Sequence, residues 1–262
     1  MGRVADTAGA GPVSAQAGVV TSSRPAWLSE AAALFAKDLR AEMRTKVAIS
    51  AIGVFTLSAL LLLGLATAAL KEAQIPIPDT DLTRPAWDPA GKMALLWVLL
   101  CFAAFTGLAH SFVHEEETGT SLALRLSMPA GAVYAGKLAF NLALIFAVAL
   151  VATPLYMLIT GMPLGPPLVF LLVMIGGCTG LAGAATIVAA LAAKARGTGA
   201  LYSALGLPIL FVFLALLLNA AKTVYAGPQP ALDVVKAVGG LFSYGILLIT
   251  VSALTFGFIW ED

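Results

Sequence analysis

His110 and His114 come nearest to a ligand set, because side chains four residues apart on one helix face can share a metal or a heme iron. The other reading makes both interfacial, with His114 opening the acidic run Glu115, Glu116 and Glu117 where a helix meets water. We read them as interfacial, and expect neither a metal site nor a catalytic residue in this chain. Asn141 and Asn219 offer amides for hydrogen bonds between helices, a packing role rather than a substrate role.

Enzyme patterns are missing. The sequence holds no G-x-x-x-x-G-K-[ST] nucleotide loop, no H-E-x-x-H and no cysteine pair at zinc spacing. Intramembrane catalysis, or transport driven by protons or sodium, needs ionisable groups inside the bilayer, and the apolar runs contain no acidic residue. The segment Thr118-Gly119-Thr120-Ser121-Leu122-Ala123-Leu124-Arg125-Leu126-Ser127-Met128-Pro129 is more informative. After the glycine it can form a short helix with Leu122 and Leu126 on one face, and Pro129 discourages continuation. A short apolar-faced helix next to Arg125 asks for a partner surface, and the acidic run before it would reinforce contact with a basic partner.

Long apolar elements must position these residues. Of 262 residues 60% are hydrophobic and 11% charged, so a bilayer is the solvent. The runs predict six transmembrane helices at about 47–70, 93–113, 138–160, 168–193, 200–221 and 237–260, with no Asp, Glu, Lys or Arg inside them. Alternating ten-residue segments, the mark of a barrel, are absent. The fold class is therefore all-α, a single membrane domain over 28–262 behind a mobile N-terminal extension, 1–27, of small residues. Between them, 28–46 reads as an amphipathic interfacial helix: Leu28, Ala32, Phe35, Leu39 and Met43 form one row, with Lys37, Arg40 and Arg44 opposite. Cys101 and Cys178 lie in apolar runs and read as small hydrophobes rather than a disulfide. Gly176, Gly180 and Gly183 form a small face for helix packing, and Pro154 and Pro208 fall inside spans, where they kink helices.

Lys37, Arg40, Arg44 and Lys46 precede the first span, and Lys194 and Arg196 follow the fourth, which places those sides in the cytoplasm. The loop 71–92, with three basic and four acidic residues, and the uncharged 161–167 then face outward, and 114–137 faces the cytoplasm.

Three stretches look familiar. Phe35-Ala36-Lys37-Asp38-Leu39-Arg40-Ala41-Glu42-Met43-Arg44 resembles the lysine-aspartate-leucine start of the heme exporter protein B family, the permease of the cytochrome c maturation ABC system. The 118–129 segment, with Tyr134 and Lys137 downstream, resembles its glycine-serine-leucine loop. Leu181-Ala182-Gly183-Ala184-Ala185-Thr186, leading to Lys194-Ala195-Arg196-Gly197 and Leu207-Pro208-Ile209-Leu210, is the third match. The resemblance covers 34 to the carboxyl end.

Membership implies a six-helix ABC-2 type permease, exporter-like, in a bacterial inner membrane. It implies a separate ATPase subunit that carries ATP and is contacted through Gly119, Ser121, Leu122, Arg125 and Leu126. Phe35, Leu39, Arg40 and Arg44 would be an interfacial contact of the N-terminal helix. A second permease copy, membrane lipids and the cytochrome c maturation proteins that load heme on a periplasmic chaperone would be the partners, with no nucleic acid. The chain would bind no cofactor of its own, with heme as the transported or handled ligand. The tryptophan-rich heme-handling signature of the partner protein is absent, which favours energy coupling over direct heme ligation. An ABC-2 permease for a lipid, drug or glycan and a non-transporting membrane scaffold remain as alternatives.

Six spans return the carboxyl terminus to the cytoplasm. An alkaline phosphatase fusion at Asp262 is therefore expected to be inactive; periplasmic activity of that fusion would contradict the topology.

Overall fold

Hydrocarbon offers no partner to a peptide N–H or C=O, so a chain this apolar folds into helices whose backbone bonds close within each segment. The computed structural model describes residues 26–70, 74–76, 83–85, 88–117, 127–194, 199–225, 227 and 230–261. The described helices are α1 (Ala26–Thr45), α2 (Val47–Ala69), α3 (Pro89–Glu117), α4 (Ala130–Thr160), α5 (Pro167–Lys194), α6 (Gly199–Tyr225) and α7 (Ala231–Glu261). Five of these, α2, α3, α4, α5 and α7, carry stretches long and apolar enough to cross a membrane, which makes the chain a multi-pass helical membrane protein. In α6 the apolar stretch, Leu210–Tyr225, is shorter among the described residues, although the helix has 27 residues.

The helices overrun the drawn spans because their starts are set by capping chemistry rather than by hydropathy. Asp88 accepts the Gly91 N–H on its side chain at 2.6 Å and the Lys92 N–H on its carbonyl at 3.0 Å, which begins α3 at Pro89 rather than at 93. The carbonyls of Pro129, Pro166 and Pro230 accept the first amides of α4, α5 and α7. The early start of α4 brings Lys137 inside the helix, and it is buried there. The all-α expectation also needs an addition. Between α2 and α3 two short strands, β1 (Gln74–Pro76) and β2 (Thr83–Pro85), pair antiparallel with Ile75 opposite Arg84.

α5 is the centre of the bundle. It packs against α3, α4, α6 and α7, and every residue from Gly180 to Val188 is buried. Lipid tails match side chains in polarity, so helices associate in a membrane by close packing, and small residues permit it. Gly177 lies under the Trp97 ring of α3 and Gly180 under Phe213 of α6. A Cβ on Gly176 would sit 3.1 Å from Leu241 and Phe242 of α7, one on Gly183 would sit 2.9 Å from Ile249, and one on Gly245 of α7 would sit 3.3 Å from the Gly180 backbone. The structure thus turns the glycines of α5 toward helices of the same chain.

α2 shows the opposite pattern. Its buried residues, Ala48, Ile52, Thr56, Leu60, Gly64 and Thr67, form one stripe, while Val54, Leu57, Leu61, Leu62 and Leu65 point outward. That outward side is the face lipid tails cover. Pro154 and Pro208 lie inside α4 and α6, both exposed. Cys101 and Cys178 are buried free thiols.

Glycine substitutions should separate the two environments. Gly177→Ala would drive a methyl into the Trp97 ring and is expected to cost about 1–3 kcal/mol, read as a lower melting temperature of the purified chain in detergent. Gly53→Ala on α2, with nothing near its Cβ, should be neutral or stabilising by up to about 1 kcal/mol.

Candidate functional site

α1 has three faces rather than two. At about 100° per residue, Ala31, Leu34 and Asp38 fall on one side, Leu28, Leu39 and Met43 on a second, and Lys37, Arg40 and Arg44 on a third. The first side is buried; on the other two these residues are exposed. The apolar row read from the sequence is therefore not the row that docks α1. Of that row only Phe35 is partly buried, while Leu39, Arg40 and Arg44 stay exposed. Docking goes through the row one position back, and it contains a carboxylate.

The receiving surface is the second turn of α4. Gly136 lets the helices touch: a Cβ there would lie 2.9 Å from the Ala31 carbonyl oxygen and 3.0 Å from Leu34. Leu34 then joins a cluster with Val133, Tyr134, Ile187, Val188 and Phe256, so α1 is seated against α4 at the end of the bundle where α4, α5 and α7 share buried contacts. The Tyr134 hydroxyl donates to the Ile249 carbonyl at 3.1 Å, tying α4 to α7 beneath this cluster.

Into this apolar contact the chain places a charge pair. Lys137 Nζ lies 2.9 Å from Asp38 Oδ2, and the side chains are 2% and 9% exposed. The approach suits an ion pair but is not aligned as a hydrogen bond, so Coulomb attraction carries it. One turn further along α4, Asn141 Nδ2 donates to Thr186 Oγ1 of α5 at 2.8 Å, and that hydroxyl donates to the Ala182 carbonyl at 2.7 Å. Asn141 thus bridges two helices, whereas Asn219 faces outward.

The joint between α1 and α2 is equally specific. Lys46 alone separates the helices and adopts left-handed backbone angles, φ 56° and ψ 20°. Glu42, which interrupts the apolar row in the sequence, accepts the Ile49 N–H at 2.8 Å and satisfies a free amide of the first turn of α2.

The opposite end of the bundle is held by backbone carbonyls. Lys92 Nζ donates to the Thr160 carbonyl at 2.7 Å at the end of α4, the Tyr156 hydroxyl donates to the Lys92 carbonyl at 2.9 Å, and the Tyr225 hydroxyl donates to the Pro163 carbonyl at 2.6 Å. The crevice lined by Ile52, Leu100, Ala104, Leu144, Ile145 and Val148 is apolar and gives a ligand no hydrogen bond. Among the described residues no group of three or more His, Cys, Asp or Glu converges on a metal position.

Comparison with protein-family models, with curated proteins and with solved structures finds no match.

Gly119, Ser121, Leu122, Arg125 and Leu126 lie outside the described residues, as do 1–25; the backbones of His110 and His114 belong to α3, with their side chains outside the description. What the sequence reading missed is the partnership of Asp38 with Lys137. The signal was present, since Lys137 follows Pro129 by two helical turns within an apolar run. A span drawn to begin at 138 excludes it.

The pair yields a test with opposite signs. Lys137→Met leaves the buried Asp38 with only the exposed Lys37 ammonium 3.5 Å away and should lower stability by about 3–5 kcal/mol, whereas Asp38→Leu with Lys137→Met together should be neutral or stabilising by about 1–4 kcal/mol. Unfolding of the purified chain in detergent reads both. A single variant no worse than the double would show that the charges do not hold α1 in place.

Proposed function

We propose that this chain is the membrane subunit of an ABC-type transporter of the heme exporter protein B kind, coupling ATP hydrolysis on a separate chain to heme export or to release of loaded heme chaperone. The observation that carries the reading is convergence. The described parts of the three stretches bearing the resemblance, Asp38 in the first, Tyr134 and Lys137 downstream of the second and Thr186 in the third, are distant in sequence but adjacent at one end of the bundle. A contact site for a partner chain would need such an assembly of an N-terminal helix with the ends of spans.

In this reading α6 is a sixth span, the bundle is of ABC-2 type in a bacterial inner membrane, and both termini are cytoplasmic. The chain has no phosphate loop, so hydrolysis takes place on the partner. The 118–126 segment lies between α3 and α4 in the chain, and α4 starts at the end of the bundle where α1 is seated. Its leucines would supply the buried contact and Arg125 the register. Movement imposed there would reach α4 within two turns, at Lys137, and pass through the ion pair to α1.

Leu122→Asp tests the reading, because it puts an unpaired charge into a contact where a buried leucine is worth about 1.5–3 kcal/mol. The variant should insert normally but lose copurification of the ATPase chain or assembly of c-type cytochromes. Normal complex formation with full cytochrome assembly would remove the segment from the mechanism.

A further inference from the structure

α1 carries an exposed cationic row, and both acidic residues in the half of the helix that bears it are engaged inside the chain. Asp38 is buried against Lys137, and Glu42 holds the Ile49 amide at the start of α2. Arg40, Arg44 and Lys46 stand exposed along the outward side; Lys37, also exposed, lies 3.5 Å from Asp38. The only other carboxylate on the helix, Glu30, sits more than two turns before Arg40. The neighbouring row is apolar and open: Leu28, Leu39 and Met43 are 40–61% exposed. Beyond the Lys46 bend the outward side of α2 is also apolar and exposed, at Val47, Ile49, Val54 and Leu57.

We infer that this outward side of α1 binds anionic phospholipid headgroups of the membrane leaflet in which it lies. The face of α2 contacts acyl chains, and the exposed apolar row of α1 ends at Met43, four residues before Val47 across the Lys46 bend, which sets the row at the boundary between tails and headgroups. The cationic row, roughly a quarter to a third of the way round the same helix, then lies at the depth of the phosphates. A protein partner would have to cover an apolar strip already beside lipid. Charge complementarity selects the occupant: zwitterionic headgroups offer no net attraction, while anionic ones gain about fivefold in association for each Lys or Arg at the surface. Asp38 is compensated by Lys137, so in this half of α1 only the carboxylate of Glu42, partly exposed at the Ile49 N–H, stands against Arg40, Arg44 and Lys46. The inference concerns α1 alone and holds whatever solute the bundle moves, so its failure would leave the reading of the 118–126 segment untouched.

The full-length chain, reconstituted in nanodiscs of phosphatidylcholine with phosphatidylglycerol, gives the test: the association constant of phosphatidylglycerol relative to phosphatidylcholine at the protein surface. The native chain should prefer phosphatidylglycerol, and high salt should abolish the preference. Arg40→Gln with Arg44→Gln should lower it by on the order of twentyfold, while Arg40→Lys with Arg44→Lys should keep it. These side chains are exposed, so folding is expected to be unaffected, and the salt series needs no variant at all. No preference in the native chain, a preference indifferent to salt, or an unchanged preference in the glutamine variant would each overturn the inference. An unchanged lipid preference with loss of a copurifying chain would assign the face to a protein instead.

Discussion

Close approach of helices along α5 is the constraint on which the bundle rests. Apolar surface gains nothing by leaving lipid for protein, so what holds neighbours together is the density of contact at short range. The glycines of α5 serve different neighbours: Gly177 admits Trp97, Gly180 admits Phe213 and the backbone at Gly245, and Gly176 and Gly183 admit α7. With Gly180 to Val188 buried all round, α5 cannot also present these glycines to a second copy of the chain. The small-residue motif, often read as a sign of dimerisation, is occupied within the subunit.

Against that dense interior, the seat of α1 is held by a different force. A glycine-admitted contact at Gly136 brings the backbones together, but Asp38 and Lys137 decide the register, because both lose water and each must meet the other. Apolar packing alone would tolerate slippage of α1 along α4; a buried charge pair does not. The same pair explains why the docking row of α1 is not its most hydrophobic row. The apolar residues Leu28, Leu39 and Met43 are left exposed.

Hydropathy made the spans legible, since a run such as Val47–Ala69 needs only length and composition to be recognised. Helix starts were less legible because they depend on single residues: Asp88 draws α3 four residues earlier, and Pro129 brings Lys137 into α4. The rows of α1 were seen, but not which one docks, because periodicity reports polarity and cannot report a partner. Asp38 belonged to neither row read from the sequence, and its partner Lys137 lies far along the chain. Glu42 looked like a flaw in the apolar row, and its purpose lies in an amide seven residues ahead. The ribbon of β1 and β2 left no alternating pattern, being only three residues on each strand.

The single-residue joint at Lys46 has a mechanical meaning. Hydrogen bonds from the Lys46 N–H to the Glu42 carbonyl, from the Ser50 N–H to the Lys46 carbonyl, and from the Ile49 N–H to the Glu42 carboxylate bridge the bend, so α1 and α2 form one cranked rod without slack. The short arm is clamped at Asp38 and the long arm is α2. With 23 residues, that arm measures roughly 34 Å, and a tilt of about 5° at the elbow swings its far end by roughly 3 Å. The chain thus contains a lever whose short arm is clamped to α4 and whose long arm is a helix long enough to cross a membrane.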